Sequence, residues 1–233
     1  MLKLAILETD ILSGDLATRY QGYGMMFQQL FASAGVALES DIFSVISGVY
    51  PPNPDAYDAL LITGSKADAF SDQPWVVTLR EYVRQRYQAG STLLGICFGH
   101  QLLAEALGGK VGRSAKGWGV GLHYYHWQAA ANGQFALIAS HRDQVLRLPA
   151  GAEVLASSDF CPIAAFRLGT RIMAFQGHPE FTVDYARQLL QQRREDIGTE
   201  RCQQALASFD GTDDGLLIAC TLADFIATAK GAA

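Results

Sequence analysis

Five consecutive residues, Gly95-Ile96-Cys97-Phe98-Gly99, constrain this chain more than any other segment. The apolar run Thr92–Ile96 leads into them, and a helical run, Leu102–Leu107, continues to Gly108-Gly109. A buried strand that becomes a helix over so short a stretch needs a tight corner, where flanking side chains would collide with neighbouring backbone. Glycine on both sides of Cys97 relieves that crowding. The cysteine is then held up at the carboxyl edge of a sheet, where open α/β folds bind ligands.

The rest of the chain supplies the sheet. Short apolar runs alternate with helical patterns, the signature of an α/β domain with a largely parallel sheet. Leu2–Leu7 is the first strand, a helix over residues 19–34 stops at Gly35, and a second strand covers residues 41–46. The proline-rich segment Tyr50–Pro54 is a loop, because proline offers no backbone donor to a ladder. Asp58–Thr63 is a buried strand running into Gly64-Ser65, and a helix follows from Pro74 to Ala89, with proline in its first turn and Gly90 beyond its end. Between residues 110 and 177 the texture changes to β-like runs at 118–127, 134–140, 153–157, 161–167 and 171–176. From about residue 182 the pattern is helical, broken near Gly211, with Thr212 or Asp213 available to cap the last helix. The expected fold is an open, mostly parallel sheet with helices on both faces, a flavodoxin-like or Rossmann-like three-layer arrangement with a mixed β extension. No repeat or linker divides the chain, so residues 1–233 are expected to form a single domain.

Composition narrows the function classes. A chain of 233 residues with 49% hydrophobic content can bury roughly 70–75% of the surface it exposes when unfolded. The net charge of −5 argues against nucleic-acid binding, which needs a concentrated basic face. The clusters Arg84–Arg86 and Arg193–Arg194 fall in helical patterns and read as solvated helix faces. Four cysteines, with no CxxC pair and no zinc spacing among the cysteines and histidines, suggest neither a disulfide scaffold nor a metal site. Glu8 interrupts the first apolar run, which is too short for a signal peptide, and no apolar stretch reaches the ~18 residues of a membrane span. A location in the reducing cytoplasm, with no membrane association, is expected.

An isolated cysteine is most often a buried small hydrophobe, and Cys161, Cys202 and Cys220 read that way. Cys97 differs because it sits at a strand-to-helix corner. A helix N-terminus favours thiolate, and the Phe98 N–H points into the same space as a donor for an oxyanion. A second donor is available at Gly64-Ser65. Thiol chemistry needs a base. Among five histidines, His178 fits best, because it ends the strand Arg171–Gln176 in Gly177-His178-Pro179-Glu180. Pro179 favours an extended His178, and residues i and i+2 of an extended chain project to one side. Glu180 can thus orient the imidazole and stabilise its cation. His100 can cap or line the pocket, His141 closes a strand within reach of it, and His123 and His126 read as packing or surface residues.

Gly95-Ile-Cys-Phe-Gly-His-Gln101 together with Gly177-His-Pro-Glu180 resembles the paired signature of class I glutamine amidotransferases, across residues 40–185. The resemblance implies Cys97 as nucleophile, His178 as base and Glu180 as its orienting acid, with Gly64 and Phe98 supplying oxyanion N–H groups. It also implies Gln101, Ser65, His141 and Asp143 as substrate-binding positions, with glutamine or another γ-glutamyl compound as substrate and no cofactor. Thr63-Gly64-Ser65-Lys66 replaces the family's usual Gly-Gly-Pro and is more similar to a stand-alone subgroup that includes γ-glutamyl peptidases. No pyrophosphate loop or Walker motif occurs, so an attached ATP-using domain is not expected.

Three readings remain open. The chain releases ammonia from glutamine, with a separate synthetase as the user, or it hydrolyses glutathione-like γ-glutamyl compounds unaided. Segments 66–75 and 112–128 would decide between these two. The third, a binding module without turnover, has no need of an intact triad.

Overall fold

The computed structural model describes residues 1–129 and 133–231. Eleven strands and eight α-helices are present among them. The first half is β1 (Leu2–Glu8), α1 (Gly14–Tyr20), α2 (Tyr23–Ser33), β2 (Leu38–Ser44), β3 (Ala59–Ile62), α3 (Pro74–Gln88), β4 (Leu93–Ile96) and α4 (Phe98–Ala106). Seven strands follow: β5 (Lys110–Arg113), β6 (Gly119–Trp127), β7 (Gln134–His141), β8 (Asp143–Arg147), β9 (Glu153–Ser157), β10 (Ala165–Leu168) and β11 (Ile172–Phe175). Helices α5 (Val183–Gln192), α6 (Arg194–Ile197), α7 (Thr199–Ser208) and α8 (Gly215–Gly231) complete the fold.

Nine strands form one sheet in the order β2-β1-β3-β4-β11-β10-β9-β6-β7. The pairs from β2 to β11 are parallel; those from β11 to β7 are antiparallel. This is the parallel sheet with a mixed extension expected from the sequence. Period-two alternation sends Leu4 and Ile6 of β1 to one face, with Phe27 and Phe31 of α2 and Ile218 and Leu222 of α8. Ala5 and Leu7 go to the other face, with Leu79 and Val83 of α3 and Leu102 and Leu103 of α4. Burial on both faces explains why these strands read as continuous apolar runs. A third apolar cluster joins Leu122 and Ile138 of the extension to Tyr185 and Leu189 of α5 and Ala205 of α7.

Three features differ from the sequence reading. The single helix expected over residues 19–34 is two helices, because Gln21 takes a left-handed φ of 63°. The Glu8 carboxylate then accepts the Gly24 N–H at 2.9 Å and starts α2. The second strand begins at Leu38 rather than residue 41, extended by its full pairing with β1. Strands β5 and β8, absent from the sequence reading, form a separate antiparallel pair. At the C-terminal helix, the Asp213 carboxylate accepts the Gly215 N–H at 3.0 Å, one of the two expected caps.

Candidate active site

Cys97 is the single residue between β4 and α4, with φ 52° and ψ −99°. A left-handed φ is uncommon outside glycine, and strained backbone of this kind persists only where its surroundings enforce it. Here the Cys97 N–H donates to Phe175 O of β11 at 2.9 Å, and its carbonyl accepts the Gln101 N–H at 3.1 Å. The flanking glycines are required by close approach. A Cβ on Gly99 would lie 2.2 Å from Ile62 O, and one on Gly95 would lie 2.5 Å from the Gly99 carbonyl.

His178 follows β11, and its backbone N–H donates to Ile138 O of β7 at 2.8 Å. Its Nδ1 lies 2.8 Å from Glu180 Oε1, and both side chains are buried. Because a carboxylate only accepts, Nδ1 carries the hydrogen, which leaves Nε2 for the thiol side. The ring stacks on Phe181 with centroids 3.8 Å apart and planes at 9°, a fixed shelf for the imidazole. Burial alone would lower the His178 pKa, but the Glu180 carboxylate and the neighbouring Cys97 sulfur outweigh it and hold the imidazolium up to about 10.

Gly64 lies against both groups, since a Cβ there would meet His178 Cε1 at 2.8 Å and Cys97 Cβ at 3.8 Å. Phe98 opens α4, where the first N–H groups have no acceptor within the helix. The ends of β3, β4 and β11 thus bring Gly64, Cys97 and His178 to one carboxyl edge, as the sequence pattern implied.

A cavity of about 190 Å³ opens beside Cys97, below the size typical of drug-sized ligands. Ser65, Gln101, His141 and Asp143 all line it. Several of their polar groups are already engaged. Gln101 Nε2 donates to Asp143 O at 2.9 Å and to Gln176 Oε1 at 3.0 Å, which leaves its carbonyl oxygen free of these bonds. Arg113 Nη1 donates to both Asp143 carboxylate oxygens, at 2.7 and 2.9 Å. Burial lowers the His141 pKa to about 3, so the ring is neutral and its Nδ1–H donates to Asp143 O at 3.0 Å.

The remaining lining includes residues that the sequence did not single out. Trp118, Arg142 and Arg193 line the cavity together with Lys66 and Asp68 of the segment after β3, and Arg142 Nη2 lies 3.7 Å from Asp68 Oδ1. Arg142 and Arg193 both lie over the Trp118 ring, at 5.5 and 6.0 Å. Arg193 also donates to Ser140 Oγ at 3.1 Å. Its expected place on a solvated helix face is corrected by the break between α5 and α6 at this residue. Arg113 further binds Asp68, tying the segment after β3 to β5. Unbroken helical periodicity in the sequence concealed that break.

His100 is fully buried against Phe166, with centroids 5.1 Å apart, and does not line the cavity. Burial lowers its pKa to about 3. His123 packs edge-on against Phe160, and His126 is exposed. Cys161 is buried, which pushes its pKa up to about 12; Cys202 is buried and Cys220 lies exposed on α8. Among the described residues, no group of three or more His, Cys, Asp or Glu is arranged to hold a metal, and no helix is long and apolar enough to cross a membrane.

A family model described as glutamine amidotransferase class-I matches residues 39–194. Gamma-glutamyl peptidase 3 of Arabidopsis thaliana is 37% identical over 176 residues, covering 70% of each chain. A glutamine-hydrolysing GMP synthase of Aeropyrum pernix is 39% identical over 120 residues, 49% of this chain and 23% of that one. The solved structure of a Thermotoga maritima glutamine amidotransferase shares the fold, with a TM-score of 0.76 at 17% identity over 97% of this chain and 98% of that one.

Proposed function

The chain belongs to the class I glutamine amidotransferase family, a cysteine-based amidohydrolase, and we propose that it cleaves γ-glutamyl amides through a thioester on Cys97. The observation that carries this reading is the buried His178 ring, held by Glu180 at 2.8 Å and stacked on Phe181, beside the strained Cys97.

Cys97 Sγ attacks the γ-carbonyl carbon as a thiolate whose proton is held on His178, and the carbonyl π electrons move onto oxygen. N–H groups of Phe98 and of the Gly64–Ser65 segment stabilise that oxyanion. The imidazolium of His178 then gives its proton to the departing nitrogen, the C–N bond breaks, and a γ-glutamyl thioester remains. Water enters, His178 takes one of its protons, and hydroxide adds to the thioester carbonyl. Collapse releases glutamate and returns the sulfur and His178 to their starting state. Glu180 keeps the Nδ1–H tautomer and stabilises the cation throughout. Arg193, which pairs with no carboxylate among the described residues, gives the cavity a cationic group suited to the substrate's free carboxylate.

Two leaving groups fit this scheme: ammonia from glutamine, passed to a separate synthetase, or the amine end of a peptide. Relatives named gamma-glutamyl peptidase, 34–37% identical to this chain, favour the peptide. The thiol nucleophile favours a reducing compartment such as the cytoplasm, and the continuous nine-stranded sheet favours one catalytic domain.

The purified chain should hydrolyse glutathione with a higher kcat/KM than glutamine. Coupled assays for released glutamate, run on both substrates, check this. Preference for glutamine would return the chain to the partner-dependent reading, and hydrolysis of neither would remove the proposal.

A further inference from the structure

Thr9 and Asp10 directly follow β1, take no part in the steps above, and are both buried. We propose that they form a two-point clamp that aims the Ser65 N–H at the developing oxyanion, a role that rests on the thioester reading. Both are positioning residues, since neither touches the reacting atoms.

The Thr9 and Thr63 hydroxyls converge on the Gly64 carbonyl oxygen. The Thr9 N–H donates to Thr63 Oγ1 at 3.1 Å, the two hydroxyls lie 3.0 Å apart, and Gly64 O lies 2.8 Å from the Thr9 hydroxyl and 3.2 Å from that of Thr63. Such linked bonds strengthen one another in a buried setting. Their convergence fixes the Gly64 carbonyl toward the end of β1. The Gly64–Ser65 peptide is trans, so its N–H must point away from its C=O. The Ser65 N–H is thereby directed away from β1, and Ser65 lines the cavity that holds Cys97.

Asp10 fixes the next peptide. Its Oδ2 accepts the Lys66 N–H at 2.9 Å, its Oδ1 accepts the Ile11 N–H at 2.8 Å, and Lys66 Nζ pairs with it at 3.2 Å. The neighbouring donors are also spent: the Thr63 N–H on Leu7 O at 3.2 Å, and the Ala67 N–H on Ser65 Oγ at 3.1 Å. From Thr63 to Ala67, only Gly64 and Ser65 keep an N–H without an acceptor among the described residues. Thr9 and Asp10 hold the carbonyl before Ser65 and the amide after it. Without the Thr9 hydroxyl, Gly64 O keeps only the longer bond from the Thr63 hydroxyl at 3.2 Å. The Gly64–Ser65 peptide can then more readily rotate and present its carbonyl oxygen to the cavity, which would repel an oxyanion.

The test uses a chromogenic amide, γ-glutamyl-p-nitroanilide, together with iodoacetamide, which alkylates the thiol without needing an oxyanion donor. Thr9→Val keeps the shape of the side chain and removes its hydroxyl. We expect kcat to fall by about tenfold or more, short of the ~10²–10³ seen when an oxyanion donor is removed outright. KM should stay within about twofold, iodoacetamide should label Cys97 at the wild-type rate, and Thr9→Ser should restore most of kcat. Asp10→Asn leaves one acceptor oxygen for two N–H groups and carries the same test should Thr9→Val fail to fold.

A wild-type kcat in the variant overturns the clamp. So does a loss confined to KM, an equal loss of alkylation rate, or a Thr9→Ser variant as slow as Thr9→Val. Failure of the wild type to hydrolyse the amide, or full activity in Cys97→Ala, would instead overturn the thioester reading.

Discussion

At Cys97 the strained backbone and the proposed nucleophilic sulfur belong to one residue, so the elements that enforce the strain also fix where that sulfur sits. The same economy holds at His178, where a stacked Phe181 and a single carboxylate fix both ring plane and tautomer. Replacing Glu180 with Gln keeps an oxygen to accept the Nδ1–H and removes the charge. Of the effects on His178, burial lowers its pKa and Glu180 raises it. Without the charge, the pKa must fall, and the imidazolium needed at C–N cleavage is lost at lower pH. We expect kcat in Glu180→Gln to drop within the ~10²–10⁴-fold range of general acid–base catalysis, and less than in Cys97→Ala. The alkaline limb of its kcat/KM profile should move toward neutral pH. An unchanged limb would mean that Glu180 does not control the proton.

Strand β4, the corner and α4 act as one element, because Gly99 passes under Ile62 O and Gly95 under Gly99. Gly99→Ala places a Cβ 2.2 Å from a backbone oxygen of β3. Overpacking of this kind costs about 1–3 kcal/mol, and here it also moves the segment that carries Gly64. A lower urea midpoint together with lost activity is expected; wild-type values for both would show that the corner has room. This element was readable from sequence because length, apolar content and two glycines all agreed. Other elements were not, for physical reasons. The break at Gln21 depends on a Glu8 carboxylate that is distant in sequence. Strands β5 and β8 are four and five residues long and exist through their mutual pairing. Cys97, His178 and Glu180 were identifiable from local spacing. Thr9, Asp10, Arg113 and Trp118 act through partners elsewhere in the chain, and no local pattern marks them.

Over the whole molecule, buried histidines give stability a pH dependence of two opposite signs. His100 and His141 are held near 3 when folded, against an ordinary value of 6.5. Below pH 6.5 the unfolded chain therefore takes up protons that the folded chain refuses, and stability falls as pH drops. His178 is held near 10, so its contribution is complete below 6.5 and is lost as pH rises from 6.5 toward 10. Each such group changes stability by up to ~1.4 kcal/mol per pH unit within its window. Urea unfolding at pH 5.5, 6.5 and 8.5 should give the highest stability at the middle value. A steady rise across all three would contradict these assignments.

The central claim is a covalent bond between the γ-glutamyl carbon and one sulfur. Acid-quenching the enzyme during turnover of γ-glutamyl-p-nitroanilide, then mapping its peptides by mass spectrometry, reads that bond directly. The account predicts a γ-glutamyl adduct on the peptide containing Cys97 and on no other cysteine. Continued turnover with Cys97 unmodified, or an adduct on Cys161, Cys202 or Cys220 in its place, would contradict it.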